Sequence, residues 1–201
     1  MSGESGHVRT AELLRTALDS TSGDTITLGE FLDAIGERAF GFVILILALP
    51  NFIPVPIGVG GVMGVIVIFI GLQMLAGFEH PWLLGKLRAR GVSRASVEKF
   101  VKRLTPLLRW LERICRPRFE KLTEHPGHRI TGFLLVLVGI ALALPIPFTN
   151  YVFGLLLVVY AVALIERDGI ALVIAWIASA AVAIVLLTLS HAVVDAVRNL
   201  F

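Results

Sequence analysis

The residues with chemistry to offer lie around two proline pairs in otherwise apolar stretches. Asn51 precedes Pro54-Val55-Pro56, Thr149 and Asn150 follow Pro145-Ile146-Pro147, and Gln73 lies further along the first stretch. Proline supplies no N–H and disfavours helix in the residue before it, so each pair leaves backbone carbonyls without intrahelical partners. Neutral carbonyls, amides and a hydroxyl can hold an ion or a polar solute and release it again. The plainer reading is that Asn and Thr satisfy backbone groups freed by proline, and that Gln73 joins neighbouring helices by hydrogen bonds. Charged candidates stand only at the margins: Glu37 and Arg38 before the first stretch, Glu166, Arg167 and Asp168 after the second. Long side chains at such margins can snorkel to water, and a coupling ion not held by amides would need Glu37, Glu166 or Asp168.

Other chemistries find little support. Glycosyl or phosphoryl transfer calls for clustered carboxylates, a metal site or a phosphate-binding glycine loop. The Gly58–Gly61 stretch, Gly-Val-Gly-Gly, lacks the following Lys and reads as backbone flexibility. His7, His80, His125, His128 and His191 are scattered, and Pro126-Gly127 between His125 and His128 favours a loop. The single Cys115 excludes an internal disulfide and reads as a small apolar filler. No catalytic residue, metal or cofactor is assigned, and an enzyme is left open without positive support.

The elements that must position the polar residues are helices in a membrane. The chain is 56% hydrophobic and 16% charged, with a mean hydropathy of +0.85, well outside the balance of a soluble domain. The runs Gly41–Phe78, Ile130–Ile165 and Ile170–Ser190 carry no Asp, Glu, Lys or Arg, and each exceeds the roughly 18 apolar residues of a spanning candidate. Between them, Lys86–Arg129 holds 13 of the 18 Lys and Arg. Basic loops stay cytoplasmic, so this segment and the N-terminus are expected on the cytoplasmic side of a multi-pass protein. Apolar residues recur at helical spacing from Val97 to Cys115, which predicts a basic amphipathic segment that meets anionic lipids or packs on the protein itself, bent at Pro106. Sparse aromatics and the lack of a recognition motif argue against nucleic acid. Residues 1–40 read as short cytoplasmic helices, one opened by a capping box, Thr27-Leu28-Gly29-Glu30, with Leu28, Phe31, Leu32 and Ile35 on one face.

The first two runs look like copies. Gly-Phe opens both, at Gly41 and Gly132, and Pro-x-Pro follows thirteen residues later in each. Val62-Met63-Gly64 then matches Val152-Phe153-Gly154 if one residue is gapped. Gly41 to Ile53 is thirteen residues, about 20 Å of helix against a hydrocarbon core of roughly 30 Å. Helices must break at the prolines, and irregular backbone survives in a membrane only where protein buries it or water reaches it. The expected fold is all-α: hairpins over 41–78 and 130–166, re-entrant or barely spanning, around a basic segment at 79–129, then a transmembrane helix at 170–190. Each hairpin returns to its starting side, which makes the repeats parallel and puts the C-terminus outside. Ala175, Ala178, Ser179, Ala180 and Ala181 suit close helix packing and a homodimer seam.

The stretches from Leu28 to Gly58, from Ala143 to Asn150 and from Leu164 to Gly169 resemble the ExoD family. The Gly-Glu-Arg opening, both Pro-x-Pro tips and the Glu-Arg-Asp-Gly turn occur in order. The resemblance implies a bacterial cytoplasmic-membrane protein that influences exopolysaccharide production, without supplying a reaction.

Two functions fit. One is a small transporter whose site forms where the broken tips meet, since paired broken helices mark the substrate site in duplicated membrane proteins. The other is an accessory protein that scaffolds polysaccharide-synthesis proteins through its basic segment and acidic N-terminal helices. Transport is the preferred reading.

Overall fold

A computed structural model of the chain describes residues 25–52, 59–82, 88–89, 91–95, 98–99, 102, 119, 122–123, 126–144 and 149–198. The expected basic amphipathic segment lies mostly outside the described residues, as do all four tip prolines.

Strand β1 (Thr25–Thr27) leads into helix α1 (Leu28–Ile35). The capping box forms: Glu30 N–H donates to Thr27 Oγ1 at 3.2 Å, and Thr27 N–H donates to Glu30 Oε2 at 2.9 Å. Two of the helix's orphan donors are thereby satisfied. β1 pairs antiparallel with β2 (Gly91–Ser93), Ile26 opposite Val92, and Arg88 meets Asp33 at 2.6 Å. The N-terminal region is thus fastened to the start of the basic segment. Strands of three residues are too short to show an alternating pattern, which is why the sequence predicted helices alone.

The remaining described helices are α2 (Ala39–Ala48), prolonged by a 3-10 turn over Leu49–Phe52, α3 (Val59–Ala76), α4 (Gly127–Ala143), α5 (Thr149–Ile165) and α6 (Gly169–Arg198). The helices pair across the two apolar runs: α2 lies chiefly on α5 and α3 on α4, while α6 covers α5 and part of α4. Both pairs are antiparallel. Gly41, early in α2, faces Ala161 and Ile165 late in α5, and Asn51 faces Gly154. On the other pair Gly64 faces Gly139, and Gly71 faces Gly132. A Cβ at Gly64 would stand 2.6 Å from the Gly139 carbonyl oxygen, and one at Gly132 only 2.5 Å from the Leu75 nitrogen. Only glycine permits backbones this close.

One end of the bundle, the root, gathers the starts of α2, α4 and α6 with the ends of α3 and α5. The opposite end, the tip, gathers Asn51, Gly60, Ala143 and Asn150. Phe40, Phe42, Leu135, Leu142, Phe153 and Tyr160 are among the fully enclosed side chains between them. The outward faces stay apolar: Val62, Val65 and Phe69 on α3, Phe133, Leu137 and Ile140 on α4, Ile174, Ile177 and Ile184 on α6. Residues Gly169–Thr188 of α6 form a helix long and apolar enough to cross a membrane, whereas the other apolar helices are shorter.

Two expectations change. His128 sits inside α4 instead of in a loop, because Pro126 and Gly127 occupy the N-cap and first helical positions, where a missing or orphan N–H is harmless. The last helix runs to Arg198, past the expected end at 190.

Candidate functional site

At the tip, the two amides that the sequence singled out come to the same end of the bundle. Asn51 is 4% exposed. Its Nδ2 donates to the Leu47 carbonyl at 2.9 Å and the Ala48 carbonyl at 3.3 Å. Those are carbonyls of a helix end, which need partners when the next turn is missing. Its Cβ would be 2.9 Å from a Cβ built on Gly154, one helical turn beyond Asn150 on α5. The half-buried Asn150 amide lies over Gly60 at the start of α3, with Oδ1 and Nδ2 at 2.9 and 3.1 Å from where a Cβ would be. Thr149 opens α5 beside it. Asn51, Asn150, Gly60 and Gly154 are therefore neighbours, drawn from both apolar runs, while Pro54, Pro56, Pro145 and Pro147 lie outside the described residues.

Gln73 does not join them. It sits near the root, where its amide accepts from Trp82 N–H and donates to Trp82 C=O at 3.2 Å. That pair of bonds pins the chain leaving α3 back onto the helix, so the amide serves the loop and joins no neighbouring helix.

The root also holds charge, enclosed instead of snorkelling. Arg38 is 8% exposed, Glu166 1% and Asp168 6%, and each is engaged in interactions. Buried charges survive only when compensated, so this end is electrostatically committed. The side chain of Glu37 lies outside the described residues. Asp168 has a visible duty: its Oδ1 accepts from Ile170 N–H at 2.9 Å and Ala171 N–H at 3.2 Å, capping α6. Arg167 takes the left-handed conformation, φ 53°, and Asp168 N–H returns to the Ala163 carbonyl at 2.9 Å. This is the bond pattern that closes a helix through a left-handed residue. Glu-Arg-Asp-Gly thus ends one helix and starts the next in four residues.

Two buried polar links escaped the sequence reading. Tyr160 and Ser179 share a hydrogen bond of 2.6 Å, and Ser179 also donates to the Ala175 carbonyl at 2.9 Å. Trp176 Nε1 donates to Thr131 Oγ1 at 3.0 Å, and Thr131 donates to the Gly127 carbonyl at 2.9 Å. Together they clamp α6 to α5 and α4. By sequence Ser179 is one small residue among several in α6, and its spacing from Tyr160 says nothing until the helices are docked.

With this arrangement in view, the comparisons with known proteins are decisive for kinship. A family model described as "Exopolysaccharide synthesis, ExoD" matches residues 10–188. The chain belongs to the ExoD family. It is similar to Protein ExoD of Rhizobium meliloti, 32% identical over 165 residues that cover 80% of this chain and 68% of that protein. It is also similar to the uncharacterized protein slr1875 of Synechocystis sp., 29% identical over 150 residues, 74% of this chain and 71% of that one. No solved structure matches the chain. The family match takes in the glycine contacts, both amides of the tip and the charged root.

Proposed function

We propose that this ExoD-family protein is a small transporter of the bacterial cytoplasmic membrane, acting in exopolysaccharide production, with its passage between the two hairpin tips. The carrying observation is that each tip asparagine seats on a glycine of the other apolar run, Asn51 through its Cβ on Gly154 and Asn150 through its amide on Gly60. Broken helix ends gain most in a membrane by facing one another, since an unpaired backbone group exposed to lipid costs several kcal/mol. The apolar outward stripes of α3, α4 and α6 support a lipid surround. In this reading N-terminus and basic segment face the cytoplasm, the basic segment meets anionic lipid, and a second copy docks along the small residues of α6.

Purified protein in liposomes is expected to pass an ion or small solute, and Asn51→Ala combined with Asn150→Ala is expected to stop it while the helical fold remains by circular dichroism. If a panel of cations, anions and neutral sugars all stay outside, transport is wrong. The accessory reading then stands in its place. It is favoured by one observation: β1, β2 and the Asp33–Arg88 pair fasten the N-terminal region to the basic segment, which would present the two together to polysaccharide-synthesis proteins.

A further inference from the structure

The contacts repeat with the numbering. A Cβ on Gly41 would meet the Ala161 oxygen at 2.9 Å and the Ile165 nitrogen at 3.0 Å; one on Gly132 would meet the Gly71 oxygen at 2.6 Å and the Leu75 nitrogen at 2.5 Å. The first-helix residues are 91 apart in sequence, and the second-helix residues are 90 apart in both cases. The same atoms meet in the same order. Gly64 and Gly154, also 90 apart, each lie against the end of the other run's first helix: Gly64 on Ala143, Gly154 on Asn51 and Phe52. The second helices also end alike. Gly77 (φ 86°) and Arg167 (φ 53°) are both left-handed, and Phe78 N–H to Gln73 C=O at 3.0 Å matches Asp168 N–H to Ala163 C=O at 2.9 Å. Even the run-ins agree, Gly36-Glu37-Arg38 preceding α2 as Gly127-His128-Arg129 opens α4.

Position 60 is the equivalent of position 150 by the same offset, and these two residues touch. Equivalent residues of two copies can meet only on the symmetry axis that relates them. At the root, Phe40 and His128 meet edge to face with ring centroids 5.1 Å apart, so the starts of α2 and α4 also approach each other there. We infer that the two hairpins are copies related by an internal two-fold axis running along the bundle from root to tip, with residues 60 and 150 meeting on it and the Asn150 amide standing at the axis.

An axis along the helices makes the repeats parallel, both hairpins opening from the same side of the membrane. It also separates the two amides. Asn51 serves the end of α2 and lies off the axis against α5, whereas Asn150 fills the place that glycine leaves open in the other copy. Taken with the transport reading, on which this one clause rests, a solute crossing at the tip meets Asn150.

The test has two arms, both in full-length protein with Cys115→Ser. In the first, Gly60→Cys with Asn150→Cys is expected to form an intramolecular disulfide on mild oxidation, since the atoms nearest a Cβ at 60 are those of the Asn150 amide itself. Phe78→Cys and Arg167→Cys, after the equivalent helices, are expected to react with an impermeant maleimide from the same membrane face. Labelling from opposite faces, or no disulfide in protein that keeps its helical spectrum, overturns the two-fold. In the second arm, chloride, rubidium and glucose flux is followed in phosphatidylethanolamine–phosphatidylglycerol liposomes. Asn150→Gly is expected to alter the rate or selectivity tenfold or more, and Gly60→Asn added to it, moving the amide to the equivalent place, is expected to restore most of it. Failure of the exchange to restore, with the thermal transition unchanged, removes Asn150 from the axis. If none of the three solutes crosses with wild-type protein, transport fails while the first arm still decides the symmetry.

Discussion

The α3–α4 seam and the α2–α5 seam join antiparallel apolar helices, yet they close by different means. In the first, glycine meets glycine twice, Gly64 with Gly139 and Gly71 with Gly132, and backbone touches backbone. In the second, a single glycine faces a residue that carries a side chain each time: Gly41 meets the Ala161 carbonyl and both the nitrogen and the side chain of Ile165, and Gly154 meets the Asn51 Cβ and the Phe52 ring. Backbone atoms and a Cβ cannot move by a change of rotamer, whereas the Phe52 ring and the Ile165 side chain can. α6 bonds to a helix of each seam, to α5 through Tyr160 and Ser179 and to α4 through Thr131 and Trp176, and packs chiefly along α5. The α3–α4 pair therefore closes backbone on backbone along its length, while the α2–α5 pair keeps a side chain at each contact and has α6 packed along α5.

The comparison is tested hardest by filling the glycines. Gly132→Ala and Gly71→Ala place a methyl within 2.5 and 2.8 Å of backbone atoms, and each is expected to cost about 3 kcal/mol, read as a large fall in the thermal midpoint of detergent-solubilised protein. Gly154→Ala meets the Asn51 Cβ at 2.9 Å, which only a small shift of the helix end can relieve, and the movable Phe52 ring at 3.4 Å, and should cost about 2 kcal/mol. Gly61→Ala, with nothing nearer than 3.9 Å among the described residues, should be neutral or slightly stabilising through helix propensity. Equal losses at Gly132 and Gly154 would erase the distinction between the seams.

Dependence of the second seam on α6 predicts intermediate effects. Ser179→Ala and Tyr160→Phe each remove the same buried bond and should each cost about 1 kcal/mol. The double variant should cost little more than either single one, and full additivity would mean that the bond does not hold α6 in place. Asp168→Ala, which uncaps α6 and removes a buried charge from the root, should lose about 2 kcal/mol or more, while Asp168→Asn keeps the cap and should recover about 1 kcal/mol of that loss.

The smallest expected effect lies outside both seams, in α1. The Thr27 backbone N–H, and then the Thr27 side chain, hold the Glu30 carboxyl below its ordinary range. A folded-state pKa below the unfolded one means that the cap contributes fully at neutral pH and is lost as pH falls through the lowered value. Protection of the amides of residues 28–35, measured against their intrinsic exchange rates, should therefore fall in acid, and Glu30→Gln should flatten that dependence without touching either seam.

The sequence by itself determined whatever is settled within a turn or two of chain. Thr27 and Glu30 had to cap α1 because their spacing of three brings side chain and backbone together in any helix start. The two Pro-x-Pro pairs predicted a break in each run because proline lacks an N–H wherever it stands, and the described helices on either side are separate. Family membership was legible too, since Gly-Glu-Arg, both tips and Glu-Arg-Asp-Gly recur in order. Only the tertiary structure decided that α2 pairs with α5 and α3 with α4, that Gln73 serves Trp82 and not a neighbouring helix, that Arg38 and Glu166 are enclosed instead of reaching water, and that Ser179 answers Tyr160. Helices apolar on every side carry no stripe to say which face turns inward. Their partners are chosen by where glycine lets another backbone approach, and that is a property of two helices together.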